Sequence, residues 1–333
     1  MVNSNPAGIS FDFASNELET AISERLVAVE ELLKQSCKSE NPFINEMTTH
    51  LVNAGGKRFR PLITLLAATL GDISKENVVK AAVVIELTHL ATLYHDDVMD
   101  EAKLRRGAVS ANSRFGNSSA ILAGDFLFAR ASELVADLGP AAVRLQAQTF
   151  ERLVTGQLLE TVGPAKDIDP VQHHLLVLAE KTGSLIATAA QFGAEFAGAN
   201  KADQVAMRQY GEAIGVAFQL TDDIIDLTSD SESSGKVPGT DLLEGVPTLT
   251  TLLIQRDNNS EDKELIATLA GQITLNALPQ LLTEIRSHRA LSQAKEVAIQ
   301  WAEKAKSAIA EVSNNATKNA LISICDATIT RQS

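Results

Sequence analysis

Two aspartate clusters carry most of the chemical information in this sequence: Asp96, Asp97 and Asp100 in HDDVMD, and Asp222, Asp223 and Asp226 in LTDDIID. On a helix, residues four apart share a face about 6 Å apart along the axis, so Asp96 with Asp100, and Asp222 with Asp226, can each clamp a hard cation. Asp97 and Asp223 point about 100° away from their neighbours, which suits an indirect role. Carboxylate-only ligand sets select Mg²⁺ or Mn²⁺, and Mg²⁺ takes one or two carboxylates together with phosphate oxygens and water. The implied ligand is a metal-bound diphosphate. One such cluster, met alone, is usually a solvated helix face. Two of them, each closing an apolar segment, are a different matter, because packed carboxylates repel and lose hydration unless cations compensate.

Basic residues flank the first acidic cluster on both sides: Lys57, Arg58 and Arg60 in GGKRFRP before it, Arg105 and Arg106 in KLRRG after it. Arg grips phosphate oxygens in pairs and Lys adds a point charge, so this set suits a second diphosphate that needs no metal. His89 lies two helical turns before Asp96 on the same face. A lone His in an apolar helix is more often a core residue. Glu86-x-x-His89 is half of a di-iron signature, but a second such unit is required and none of the other His residues supplies it. Gln219, three residues before Asp222, and Lys181-Thr182, at the head of another apolar segment, are weaker signals. The absence of a Gly-x-x-x-x-Gly-Lys-Ser/Thr loop and of a Gly-x-Ser-x-Gly elbow removes P-loop nucleotide hydrolysis and ordinary α/β-hydrolase chemistry.

The elements that must hold these residues read as helices. Ala81 to Asp100 is apolar on every side until its last turn, the pattern of a helix buried all round, and Ala213 to Asp226 repeats that design. If the two are neighbours, they deliver carboxylates to one cavity. Pro61, Pro140 and Pro170 head helical segments while Gly71, Gly139 and Gly163 fall near segment ends. A helix is expected over Glu17 to Gln35 behind a loose arm at 1–15, and the Ser-, Gly- and Pro-rich run 229–247 is expected to be a lid loop. Hydrophobic residues make up 45% of the chain and aromatics 4%, a balance that favours an all-α protein.

The net charge of −13 excludes broad electrostatic binding to nucleic acid or anionic membrane. Cys37 and Cys325 cannot build a disulfide framework, which fits a reducing cytoplasm. No uninterrupted apolar run reaches the ~18–20 residues of a transmembrane helix, and the first residues lack a signal-peptide pattern, so a soluble protein that is not exported is expected.

In the order and spacing of GGKRFRP, HDDVMDEAKLRRG, LAGDFLFARA, GQLLE, EKTGSL, FQLTDDIID and GKVPGTDLLEGVPTL, the sequence resembles the trans-isoprenyl diphosphate synthases, or polyprenyl synthetases, over nearly its whole length. Terpene cyclases share the first acidic motif but usually replace the second. The resemblance implies a single domain over 1–333, an isoprenoid synthase-type bundle of long helices around a central cavity, and a homodimer. It implies that Lys57, Arg60, His89 and Arg106 hold isopentenyl diphosphate. Asp96, Asp100 and Asp222 then ligate Mg²⁺, three ions per site with Mn²⁺ able to substitute. Arg105, Lys181, Thr182, Gln219 and Lys236 complete the shell of the allylic diphosphate, and Asp223 and Asp226 stand beside them. Many members carry Lys before the position of Asp241; Thr240 stands here, and Lys236 is expected to cover that contact. In this family, bulky residues one or two turns before the first Asp stop chain growth. The small Thr88, Ala91 and Thr92 therefore imply a product of twenty carbons or more, with Leu127 or Phe128 as its floor. A noncatalytic subunit of a heteromeric synthase and a metal-binding scaffold without substrate are the competing readings, and the intact acidic and basic sets argue against both.

Overall fold

The computed structural model describes residues 11–229 and 238–331. Among these the elements are helices joined by turns and loops, and the strands form one two-stranded hairpin. The chain divides into two compact units. Unit 1 comprises Met1–Phe150, Leu185–Gly211 and Ala308–Ser323, and unit 2 comprises Glu151–Ser184, Glu212–Ser307 and Ile324–Ser333.

In unit 1, helix α1 (Asn16–Ser36) starts where the Ser15 hydroxyl accepts the Leu18 N–H, and it buries Leu18, Ile22, Val29 and Leu33 along one stripe. Helices α2 (Pro42–Thr48), α3 (His50–Asn53) and α4 (Phe59–Ala68) follow. Helix α5 (Glu76–Met99) packs against α1, α4 and α7 (Asn117–Asp137). Burial on three sides is why its sequence shows no polar face. By length and composition α5 is the one described helix that could cross a bilayer, and 78% of its apolar window is buried inside the protein.

Between α5 and α7 come strands β1 (Leu104–Arg105) and β2 (Ala108–Val109), then the short α6 (Ala111–Phe115). The strands pair antiparallel, Leu104 with Val109 and Arg105 with Ala108, around a two-residue turn whose residues Arg106 and Gly107 have φ of 54° and 77°. Positive φ at both turn positions is the geometry that matches strand twist. Gly107 adopts it freely; Arg106 does so against a preference of roughly 1–2 kcal/mol.

Helix α8 (Pro140–Val162) leads from unit 1 into unit 2, which holds α9 (Pro170–Leu178) and the π-helical turn Ala179–Gly183 that continues it. Single π turns commonly mark functional positions in helices. This one carries Lys181 and Thr182. Helix α10 (Ser184–Ala197) returns to unit 1, and the long α11 (Lys201–Thr228) passes from unit 1 back into unit 2. The short α12 (Thr240–Glu244) is bracketed by Gly239 and Gly245, both left-handed. Helices α13 (Leu249–Asp257), α14 (Lys263–Leu269), α15 (Leu278–Ser287), α16 (Arg289–Ala308) and α17 (Asn315–Thr330) complete the chain. The core of unit 2 joins Val216, Leu220, Ile224 and Leu227 of α11 to Leu253, Ile254, Leu282, Ile285 and Leu291.

The expected helix at Glu17 to Gln35 is found with one residue more at each end. Residues 1–10 of the expected arm and 230–237 of the expected lid lie outside the described residues. The described part of 229–247 includes α12, so that segment is not loop throughout.

Candidate active site

In unit 1 the basic residues fall into two kinds. Arg58, 7% exposed and itself left-handed at φ 47°, donates from Nε to Glu30 at 2.7 Å and from Nη1 to Glu86 at 3.2 Å, with a further bond to the Gly55 carbonyl. It is tied into the scaffold. Arg106 donates to the carbonyls of Gly55 and Leu51, which orients its fork. A Cβ at Gly56 would stand 2.6 Å from the Arg58 fork and 2.8 Å from that of Arg106, so only glycine lets the two guanidinium groups close over this turn.

Arg60 is half-buried and its enclosed Nε has no hydrogen-bond partner. Burial pushes its pKa down to about 10, against the attraction of Glu86 and Asp96 and with help from repulsion by Arg106. Glu86, 1% exposed, is thus the buried counter-charge for Arg58, Arg60 and Arg106 together. His89 is held well below its ordinary value, first by burial and then by repulsion from Arg60, Arg106, Arg105 and Arg58. A neutral imidazole offers a hydrogen bond rather than a charge. Lys57 is exposed. The cluster has a net positive character and an unmet donor, which is what a bound diphosphate satisfies.

The first acidic cluster ends α5. Asp96 is half-buried, Asp100 is exposed and caps the helix, and Asp97 is fully buried. The Asp97 carboxylate accepts the Arg105 Nε–H at 2.5 Å, while Arg105 Nη2 lies 3.9 Å from Asp100. Behind them, Thr88 and Ala91 are fully buried and Thr92 nearly so. The Thr88 hydroxyl donates to the Val84 carbonyl and accepts from Gln146 Nε2 at 3.3 Å; Thr92 donates back to His89. Leu127 is fully buried, and the Phe128 ring packs on Phe150 with centroids 4.3 Å apart.

In unit 2 the Thr182 hydroxyl donates to Gln219 Oε1 at 3.5 Å, and Gln219 Nε2 donates to Asp223 at 3.2 Å. His174 Nε2 stands 3.7 Å from the other Asp223 oxygen. Lys181 pairs with Glu160 at 2.5 Å, and a Cβ at Gly156 would come within 2.5 Å of the Lys181 backbone, so α8 meets the π turn at a glycine. Beside it Arg152 takes Glu180 in a two-pronged bond and reaches Glu212 at 3.3 Å. Asp222 pairs with Arg331. Asp226 accepts the N–H groups of Thr240 at 3.2 Å and Asp241 at 3.1 Å, holding the start of α12. Burial, then the charges of Asp223, Asp226, Glu244 and Asp222, push the Asp241 carboxyl up to about 8.

A polyprenyl synthetase family model matches residues 41–301. The nonaprenyl diphosphate synthase of Mycobacterium tuberculosis is 44% identical over 322 residues, covering 96% of each chain. The geranylgeranyl pyrophosphate synthase of Corynebacterium glutamicum, solved with calcium and isoprenyl diphosphate, is 42% identical with a TM-score of 0.87, covering 96% of this chain and 99% of that one. A decaprenyl diphosphate synthase from Rhodobacter capsulatus is 31% identical with a TM-score of 0.86, covering 96% and 99%. The chain belongs to the polyprenyl synthetase family. It is a prenyltransferase with the family's all-α isoprenoid synthase fold.

For a polyprenyl synthetase the donor set fits a divalent cation held jointly by protein and substrate. Among the described residues no three carboxylate, His or Cys side chains form a metal cage, whereas Mg²⁺ needs only one or two carboxylates when phosphate oxygens and water fill the rest. Burial raises Asp241 first, and the neighbouring carboxylate charges that raise it further are what such a cation would relieve. Lys236 lies outside the described residues. Glu86, Glu160, Arg152, His174 and Arg331 were assigned no place in the site from sequence. Only Glu86, in Glu86-x-x-His89, and Glu160, in GQLLE, lay in a sequence motif; the last helix carries no pattern that points to Asp222.

Proposed function

We propose that this polyprenyl synthetase condenses isopentenyl diphosphate head to tail with an allylic diphosphate, in a Mg²⁺-dependent reaction, to an all-trans polyprenyl diphosphate of twenty carbons or more. The observation that carries the reading is the presence in one chain of a basic, carboxylate-balanced cluster at Arg60, Arg106 and His89 and an acidic cluster in which Asp223, Asp226 and Asp241 crowd one another. One suits a diphosphate bound by protein alone, the other a diphosphate bound through metal.

In this reading Asp96, Asp100 and Asp222 hold about three Mg²⁺ ions on the allylic diphosphate, Mn²⁺ being able to substitute. The bound metal supplies charge that stabilises the departing diphosphate. Arg105, fixed by Asp97, and Lys181, fixed by Glu160, add donors to the same leaving group. Thr182, Gln219 and Asp223 form a hydrogen-bonded line that orients the acidic turn, and Asp226 anchors α12 beside it. Arg60, Arg106, Lys57 and neutral His89 hold isopentenyl diphosphate, whose double bond attacks the allylic cation. The aliphatic residues of α5 keep water from that cation. Thr88, Ala91 and Thr92 leave room for the growing chain, and the Phe128–Phe150 pair is the candidate floor.

A homodimer is part of the proposal. Helix α8 exposes Val143, Val154, Leu158 and Val162, spaced eleven, four and four residues apart on one stripe, and a second copy is the occupant that would cover them. Two buried free cysteines accord with a reducing cytoplasm. Turnover of labelled isopentenyl diphosphate tests the metal reading: Asp96→Ala and Asp222→Ala, like chelation, should abolish it while leaving helicity intact. Near-wild-type rates in either variant at saturating Mg²⁺ would refute it.

A further inference from the structure

Arg331 directly follows α17 and belongs to none of the motifs, yet it occupies a built seat. Its side chain is 11% exposed, it donates to Asp222 Oδ1, and its guanidinium carbon lies 4.5 Å from the centre of the Phe218 ring. Phe218 and Asp222 are one helical turn apart on α11, so ring and carboxylate face the same guanidinium. An exposed ion pair would leave the long Arg side chain in water. Here it is withdrawn from water, stacked on an aromatic face and set against a carboxylate.

The seat does not satisfy Arg331 fully. Its Nε is enclosed and has no hydrogen-bond partner. A guanidinium has five donors and no acceptor, and burying one of them unmet is costly unless an acceptor arrives from outside the protein. A planar fork with free N–H groups, next to a residue that takes metal, matches the oxygens of a diphosphate.

We propose that Arg331 is an exchange residue of the acidic site: in the metal-free protein it stands in for the divalent cation on Asp222, and on arrival of a metal–diphosphate complex it releases Asp222 and binds the diphosphate oxygens. The proposal rests on the reading of Asp222 as a metal ligand. A divalent cation and a guanidinium compete for the same oxygen, so Arg331 weakens the binding of metal alone and strengthens the binding of metal with diphosphate. The order of loading follows. Free metal binds poorly, and the metal–diphosphate pair binds well because only then does Arg331 gain a new partner.

The test uses the full chain and Mn²⁺ as the probe, with free Mn²⁺ counted by its electron paramagnetic resonance signal and inorganic pyrophosphate binding followed by calorimetry in the presence of Mn²⁺. Arg331→Ala should bind Mn²⁺ alone several-fold more tightly than wild type, and pyrophosphate with Mn²⁺ about tenfold more weakly. Arg331→Lys, which keeps the charge but not the fork, should restore the wild-type response to Mn²⁺ alone and only part of the pyrophosphate affinity. Unchanged melting temperatures will show that both variants are folded. If Asp222→Asn loses Mn²⁺ binding but Arg331→Ala binds Mn²⁺ no better than wild type, the exchange is wrong and the metal assignment stands. If Asp222→Asn binds Mn²⁺ as wild type does, both are wrong.

Discussion

Asp97 is fully buried, and its carboxylate accepts the Arg105 Nε–H at 2.5 Å. The middle residue of the first acidic motif thus holds an arginine eight positions on. A buried carboxylate is tolerated only with such a partner, and burial does raise its pKa against the pull of Arg105. Asp97→Asn should lower turnover by roughly ten- to a hundredfold through the loss of a charge-assisted bond of about 1.5–3 kcal/mol. In a double-mutant cycle with Arg105→Ala the losses should not add. Strict additivity would mean that Asp97 does not act through Arg105.

The two kinds of arginine in unit 1 predict different failures. Arg60→Ala and Arg106→Ala should raise the KM for isopentenyl diphosphate, each removing phosphate contacts of about 1.5–3 kcal/mol, with a smaller change for the allylic primer. Arg58→Ala should instead lower stability, since it strands Glu86 in the core beside Glu30. Thermal melting alongside steady-state kinetics separates the two. Equal weakening toward both substrates by the Arg60 and Arg106 variants would remove the division into two diphosphate sites.

His89 gives the pH dependence a sign. Its folded value lies well below the ordinary one, so between about pH 6.5 and that lower value the unfolded chain binds a proton that the folded chain does not. Stability contributed by the neutral imidazole is present above about pH 6.5 and is lost as pH falls below it. His89→Gln, which cannot take the proton, should lose less melting temperature than wild type between about pH 7.5 and 5. Parallel curves would contradict the depressed value.

How much of this was legible in the sequence varied with the range of the interaction. Helix α1 and the all-round apolarity of α5 were readable because their patterns are local and periodic. The 104–109 hairpin was not, since strands of two residues leave no alternation to read and its turn seats Arg106 where Asn or Gly is usual. Four-residue spacing set Asp226 beside Asp222 on one face. That its oxygens also accept the N–H groups of Thr240 and Asp241 is a contact that spacing along one helix cannot foretell. Arg331 on Asp222 spans more than a hundred residues and had no sequence signal at all.

Chain length should follow the walls behind Asp96. Ala91→Phe, in a fully buried position whose carbonyl lies 3.1 Å from the place of a Cβ on Gly124, should cost about 1–3 kcal/mol in overpacking and shorten the product toward ten or fifteen carbons. Phe128→Ala opens the pair with Phe150 and should lengthen it. Chromatography of the dephosphorylated products decides. A folded, active Ala91→Phe variant with the wild-type product distribution would show that Ala91 does not bound the growing chain.

The central claim is that this chain by itself elongates an allylic diphosphate. Purified protein should be incubated with Mg²⁺, labelled isopentenyl diphosphate and, in separate reactions, C5, C10, C15 and C20 allylic primers, and its products resolved by chain length. The account predicts all-trans products in steps of five carbons, ending at twenty or more, that vanish on chelation. No incorporation with any primer by the folded protein, or products that stop at fifteen carbons or fewer, would contradict it.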